Sequence, residues 1–410
     1  MTINIKIPKE VETALNILNQ NKFEAYIVGG CVRDSLLGIA PKDWDITTSA
    51  KPDEIIISFQ GYRTINTGLK HGTVTVLINK KPIEITTFRI DGKYTDNRRP
   101  DSVTFTDNLS HDLNRRDFTI NALAYNRNGI VDLFGGIEDI KSKMVKCVGE
   151  PDERFNEDGL RILRALRFAS VLEFKIDNNT SLSILKNKML LTNISKERIS
   201  NEFSKLVMGK SFLSILREYK EIIEVFIPKV SAYNEETWDN ILNSMNNVDD
   251  LPLRLALLLH NTKDSENILK NLKFDGSTVK SVKAIVLNMY LNIIPDKINI
   301  KKQLNIVGYK AYVDLLKFKK AIYKTKENIY KQELENIKNA AKILNQIIMY
   351  NECYNLKQLE INGCDLIELG FSKGVVLGSI LNEILNLVIE ENLANEKIIL
   401  INYVKKYKIN

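Results

Sequence analysis

Asp43 and Asp45 stand two residues apart in Lys42-Asp43-Trp44-Asp45-Ile46-Thr47. If the segment is a strand, side chains at i and i+2 share a face, so two carboxylates lie side by side. That is costly unless a cation sits between them. Mg²⁺ suits such a place, because it takes carboxylates together with substrate phosphates and keeps several waters. Two ions about 4 Å apart can serve an in-line phosphoryl displacement, one lowering the pKa of an attacking hydroxyl and one neutralising the leaving pyrophosphate. Asp-x-Asp alone reads more readily as a loop-edge pair capping the next helix. Its company reverses that reading. The apolar pair Ile27–Val28 runs into Gly29-Gly30 and then a helical stretch with Arg33 and Asp34. Glycines at a strand-to-helix turn let backbone N–H groups approach phosphate oxygens, and Arg33 adds a charged contact. Glu84 is a candidate third carboxylate with two orientations open: the face of Thr86 and Phe88, or the metal side.

A second cluster follows Gly149. Asp158, Arg161, Arg164 and Arg167 fall at three-residue steps, which predicts a drifting stripe on one helix face opposite buried Leu160, Leu163, Leu166 and Ala169. Asp–Arg pairs at this spacing also laminate ordinary exposed helices. Three arginines without a lysine argue against that here, since the chain otherwise prefers lysine and arginine supplies a planar fork. Asp158 can accept from an exocyclic amine and Arg161 can donate to a ring nitrogen or carbonyl. Cytosine and adenine satisfy that pair, whereas uracil and guanine set a carbonyl oxygen against the aspartate. Between the clusters, Arg116, Asp117 and Asn121 offer a cation, an acceptor and an amide suited to a ribose and its phosphates. The polar loop around Tyr94–Arg99 is long for a simple hairpin, and Val131–Gly136 has the composition of a hinge.

These residues need a rigid frame. Before about residue 150, β-like runs alternate with turns at Glu24–Gly30, Asp45–Thr48, Gly72–Ile78 and Pro82–Arg89. After it, nearly every segment has helical spacing, as in Leu160–Leu172, Phe212–Val225, Leu251–His260 and Asn328–Ile348. The expected fold class is an α/β head, a mixed β-sheet with helices, followed by an all-α neck, body and tail. Seams are expected near Gly149–Pro151, Gly209–Lys210 and Tyr350–Asn355. The domains are thus 1–148, 149–210, 211–350 and 351–410.

The 410 residues suggest two to four domains. A hydrophobic content of 44% with 27% charged residues describes a globular chain. No apolar run is long enough for a membrane helix, and the charged segment Met1–Leu18 does not read as a signal peptide. A cytoplasmic protein is expected. Four scattered cysteines without a C-x-x-C pair argue against a disulfide framework or a zinc site. The net charge of +7 permits a polyanionic partner.

Taken in order, the motifs resemble those of the class II tRNA nucleotidyltransferases, the bacterial family of CCA-adding enzymes and poly(A) polymerases. Gly29-Gly30-x-x-Arg33-Asp34 with Asp43-x-Asp45 is similar to the family's first motif. Arg115-Arg116-Asp117-Phe118-Thr119-x-Asn121 is similar to its ribose-selecting motif. Asp132-x-Phe134-Gly135-Gly136 resembles its hinge, and Glu157-Asp158-x-x-Arg161 its nucleobase-reading motif. Glu197-Arg198-Ile199 with Glu202 resembles the neck motif supporting the last. The resemblance implies a seahorse-like molecule with Mg²⁺ at Asp43 and Asp45 and triphosphate contacts from Gly30 and Arg33. It implies a nucleotide site of Arg116, Asp158, Arg161, Arg164 and Arg167. ATP and CTP would be the substrates, and body and tail would hold the tRNA acceptor and TΨC region. A tail of tRNA type over Ile361–Leu400, ending at Asn410 without a basic extension, favours CCA addition over poly(A) synthesis. Residues Tyr94–Arg99 favour it over CC addition. A-only addition stays open on the sequence. A non-catalytic RNA chaperone is disfavoured by the complete carboxylate set and the intact arginine stripe. Leu257-Leu-Leu-His260-Asn261 resembles a metal-phosphohydrolase step with asparagine in place of aspartate, so His260 reads as a helix-end residue.

Overall fold

The computed structural model describes residues 5–92 and 102–407; the loop expectation at Tyr94–Arg99 lies outside the described residues. The chain divides into two units, Met1–Ala232 and Tyr233–Asn410.

The first unit opens with helix α1 (Lys9–Gln20), whose Val11, Ala14, Leu15 and Leu18 form one buried stripe. Strands β1 (Ala25–Val28), β2 (Asp45–Thr48), β3 (Arg63–Ile65), β4 (Thr73–Ile78) and β5 (Lys81–Thr87) follow, with helices α2 (Gly30–Leu36) and α3 (Pro52–Ser58) between them. In β4, Val74, Val76 and Ile78 are buried and alternate with half-buried Thr73, Thr75 and Leu77, the period-two pattern of a sheet with one covered face. A short ribbon, β6 (Arg89–Asp91) with β7 (Val103–Phe105), precedes helix α4 (Leu109–Asn114). The hairpin β8 (Leu123–Asn126) and β9 (Gly129–Asp132) completes a seven-stranded sheet in the order β3-β4-β5-β2-β1-β8-β9. Its strands pair antiparallel except β2 with β5, which run parallel because β3 and β4 intervene in the chain.

Helix α5 (Gly136–Lys141) starts where a hinge is expected. Its first turn is pinned: the Asp132 carboxylate accepts from the backbone N–H of Gly136 at 2.8 Å and of Ile137 at 2.9 Å. A Cβ at Gly136 would lie 2.3 Å from the Thr119 carbonyl oxygen, so close approach rather than flexibility demands this glycine.

The head runs on without a break into helices α6 (Pro151–Glu157), α7 (Leu160–Leu172), α8 (Asn178–Lys186) and α9 (Lys196–Val207). A parallel pair of two-residue strands, β10 (Met144–Val145) and β11 (Lys175–Ile176), ties the sheet region to the helices that follow it. Helix α7 packs extensively against α9. The single helix expected over Phe212–Val225 is two, Phe212–Glu218 and Lys220–Phe226. They part at Tyr219, whose ring is buried and whose hydroxyl bonds Ser181 at 2.8 Å.

The second unit is helical. One core gathers Ile300, Leu304, Tyr312, Leu316, Ile337 and Leu344; another, toward the C-terminus, gathers Ile361, Leu366, Ile384, Leu385, Leu400 and Val404. His260 ends the helix Leu251–Leu259, with its Nδ1 2.7 Å from the Leu257 carbonyl oxygen and its ring edge-on to Phe318. Among the described residues no helix is long and apolar enough to cross a membrane.

Candidate active site

Asp45 is the first residue of β2, and Asp43 lies just before the strand. Both line a cavity of about 740 Å³ whose wall also carries Gly29, Gly30, Arg33, Arg116, Asp117, Asn121, Arg164 and Arg167. Ten of the thirteen residues singled out by type and spacing therefore meet at one place. On the other side, Asp43, Asp45 and Glu84 line a second hollow of about 570 Å³.

The parallel register settles the orientation of Glu84. Asp45 pairs with Glu84 across β2 and β5, and Thr47 with Thr86, so all four side chains leave one face. The two alternatives for Glu84 are thus one: the Thr86 face is the carboxylate face. Phe88 does not share it, being buried beyond the end of β5. Solvent reaches Asp45 through the cavity mouth, but protein crowds it on its other sides. That crowding, then repulsion from Glu84 and, more weakly, from Asp43, pushes its carboxyl above the usual range, against the pull of Arg116. Among the described residues no three His, Cys, Asp or Glu side chains form a ready-made metal cage. Asp43 and Asp45 with their neighbour Glu84 nevertheless fit a divalent cation, since their like charges crowd together and substrate phosphates and water can complete the shell. Glu84→Gln is expected to lower turnover about tenfold to a hundredfold, less than loss of either aspartate. Steady-state rates at several divalent-ion concentrations check it; an unchanged rate would remove Glu84 from the site.

At Gly29 the backbone has φ +81°, and a Cβ would lie 3.1 Å from Arg116 Nη1. A side chain there would be strained and would push Arg116 aside. Arg116 is held by Asp112, which is fully buried on α4 and accepts from Arg116 Nη2 at 3.1 Å and from Arg115 Nη2 at 2.7 Å. The Thr47 hydroxyl on β2 donates to the same carboxylate at 3.2 Å. Burial raises the Asp112 carboxyl, but Arg116 and Arg115 outweigh it and hold it below its ordinary value.

The arginines form one chain of contacts. Arg33 Nη1 donates to Asn121 Oδ1 at 2.5 Å, and Asn121 Nδ2 donates to Asp117 Oδ1 at 3.0 Å. Asp117 Oδ2 accepts from Arg164 Nε at 2.8 Å and Nη2 at 2.6 Å. Glu202, on α9, then pairs with Arg167 at 2.5 Å and lies 3.9 Å from Arg164. Burial pushes Asp117 up, yet Arg164, Asn121 and Arg161 hold its carboxyl far below the usual carboxylate range.

Asp158 and Arg161 stand apart from this cavity. The three-residue period sets Asp158 on the helix; the structure sets it outside, extended at φ −142° in the gap between α6 and α7. Gly159 follows it at the start of α7, packed with its Cα against Leu190, where a Cβ would lie 3.0 Å from the Leu190 carbonyl oxygen. Asp158 Oδ1 accepts from the Leu160 N–H at 3.1 Å, and its carboxylate pairs with Arg198 at 2.7 Å. Arg161 is buried. It donates to the carbonyl oxygens of Arg154 at 3.1 Å and Arg115 at 2.9 Å, and pairs with Glu157 at 2.5 Å. Sequence reading passes over Asp112, Lys205 and Phe168, which complete the site's frame and wall. Phe168 carries a faint signal, an aromatic directly after Arg167, but hides as an ordinary core residue of α7.

The sheet, its paired carboxylates and the arginine-lined cavity define a nucleotidyl-transferring head followed by a largely helical region. The family described as "Poly A polymerase head domain" matches residues 25–146, that described as "Probable RNA and SrmB-binding site of polymerase A" residues 173–233, and that described as "tRNA nucleotidyltransferase domain 2 putative" residues 249–404. The CCA-adding enzyme of Ligilactobacillus salivarius is 36% identical, the alignment covering 98% of this chain and 97% of that one; that of Enterococcus faecalis is 35% identical over 98% and 96%. The crystal structure of the Bacillus stearothermophilus CCA-adding enzyme in complex with CTP is 31% identical and superposes with a TM-score of 0.82, covering 98% of this chain and 97% of that one. The chain belongs to the bacterial CCA-adding enzymes of the tRNA nucleotidyltransferase and poly(A) polymerase family, which uses divalent metals.

Proposed function

We propose that the cavity beside Asp43 and Asp45 carries out the family reaction in this chain: addition of CCA to the 3′ end of tRNA from CTP and ATP. The observation that carries the assignment is the meeting of Asp43, Asp45, Arg33, Arg116, Arg164 and Arg167 on one cavity wall. Gly29 and Gly30 leave room for the triphosphate, and Arg33 and Arg116 contact it. Asp117 and Asn121 orient the ribose while tying Arg33 to Arg164. The new bond joins the tRNA 3′ oxygen to the α-phosphorus as the bond to the β-phosphate oxygen breaks and pyrophosphate leaves. Asp43 and Asp45, with Glu84 beside them, would hold Mg²⁺, which supplies activation of the attacking hydroxyl and charge neutralisation when bound.

Asp158 and Arg161 read the base in this proposal, through the acceptor-and-donor pattern shared by cytosine and adenine. Arg161 bonds the Arg115 carbonyl, next to Arg116, which links the reader to the triphosphate wall. Asp158→Asn keeps an oxygen for the Leu160 N–H but offers an amide donor to a carbonyl base edge. It is expected to erode discrimination against UTP by about tenfold to a hundredfold. Competition assays with labelled CTP and UTP measure this, and undiminished discrimination would defeat the base-reading role.

Head, neck, body and tail divide at 148/149, 210/211 and 350/351 in this reading, with tRNA held by body and tail through phosphate and shape contacts in the cytoplasm. The test is purified protein with tRNA lacking its 3′ end, Mg²⁺ and each labelled nucleotide in turn. Ordered incorporation of C, C and A is expected. Addition of A alone to tRNA ending in CC would make the enzyme A-adding, long A tails on unrelated RNA would make it a poly(A) polymerase, and no incorporation would end the enzymatic reading.

A further inference from the structure

We infer that Phe168 is a positioning residue for the incoming nucleotide: its ring is the shared surface against which Arg33, Arg164 and Arg167 are held in the cavity wall. The guanidinium carbons of these arginines lie 4.9, 5.4 and 3.9 Å from the ring centroid. The ring lines the cavity and is 5% exposed. It meets Phe118 edge-on, with centroids 5.8 Å apart and planes at 80°. Phe118 is fully buried and directly follows Asp117. A head arginine on α2 and two neck arginines on α7 therefore converge on one aromatic side chain.

Three like charges on one wall repel each other, and the in-plane N–H groups relieve only part of this. Arg33 uses Asp34 and Asn121, Arg164 uses Asp117, and Arg167 uses Glu202. Those carboxylates also draw the guanidiniums away from any ligand. The electron-rich face of an aromatic ring attracts cations without neutralising them. At this wall it opposes that draw and leaves the cations available for phosphates. An aliphatic side chain of similar bulk fills the volume but lacks the attraction.

The inference rests on reading Arg33 and Arg167 as nucleotide-binding residues, and the test separates the two. In the full-length protein, Phe168 is replaced by 4-fluoro-, 3,5-difluoro- and 3,4,5-trifluorophenylalanine, which keep the ring's shape while draining its face. Phe168→Leu, Arg33→Gln and Arg167→Gln are compared alongside, with KM and kcat measured for CTP and ATP at saturating tRNA. KM is expected to rise stepwise with fluorination, to about tenfold. The rise should be equal for CTP and ATP, because the ring acts through arginines set on the triphosphate, and kcat should change little. A KM that ignores fluorination while the two arginine variants raise it would overturn the role of Phe168 and leave the nucleotide site standing. A KM unmoved by the arginine variants as well would overturn both.

Discussion

Asp45→Asn is expected to reduce nucleotide addition about a thousandfold, equivalent to about 4 kcal/mol of transition-state stabilisation, while tRNA affinity stays within about twofold. Asp45 borders both hollows and faces Glu84 across the parallel pair, so no neighbour can replace its oxygens. With tRNA held through phosphate contacts elsewhere, as proposed, its binding should not register the change. Single-turnover extension with labelled CTP, beside filter binding of the same tRNA, measures both quantities. An affinity loss as large as the rate loss would contradict the metal-holding role. The substitution should also stabilise the protein slightly at neutral pH in a chelator. The folded-state pKa of Asp45 is raised, so its ionisation above the ordinary carboxylate value disfavours the fold, and the asparagine removes that cost. Thermal denaturation in EDTA reads the sign.

Asp117→Ala should be the most destabilising change in the site, by about 3–5 kcal/mol, because it strands buried cationic and amide donors. Its carboxylate accepts from the Phe118 N–H at 2.9 Å as well as from Asn121 and Arg164. The folded-state pKa is depressed, so the stabilisation is fully present above the ordinary carboxylate value and is lost as pH falls toward the lower folded value. Urea unfolding of the wild type and the variant should therefore show a gap at neutral pH that narrows below about pH 4. A gap independent of pH would mean that shape, not charge, makes Asp117 matter. KM for CTP and for ATP should rise together, since Asn121 and Arg164 lose their common anchor.

Local spacing carries the aspartates at the start of β2 and the arginines of α7, because both depend on short-range periods written into the chain. Glu84 is different. Its orientation follows from the parallel pairing of β2 with β5, which joins Asp45 to Glu84 although two strands intervene in the chain, and no local pattern states that register. Asp158 fails the other way: a three-residue period continues through it, but α7 begins only at Leu160, with Gly159 between them packed closely against Leu190. Asp112 and Phe168 escape notice because each looks ordinary alone. A buried aspartate and a core phenylalanine take their meaning from arginines that are remote in sequence, as Arg33 is from Phe168. The β10–β11 pair is too short to leave any periodic signal.

That small parallel pair has an evolutionary consequence. It joins the end of the head to the segment just after α7, the helix that brings Arg164, Arg167 and Phe168 to the cavity. A recombination event that cut the gene near codon 148 would hand on the aspartates without the wall that Arg164, Arg167, Phe168 and Lys205 supply. The smallest heritable module able to keep this chemistry extends through α9, whose Glu202 braces the last arginine. Lineages that exchange specificity by shuffling should therefore trade the sheet and the helices through α9 as one piece.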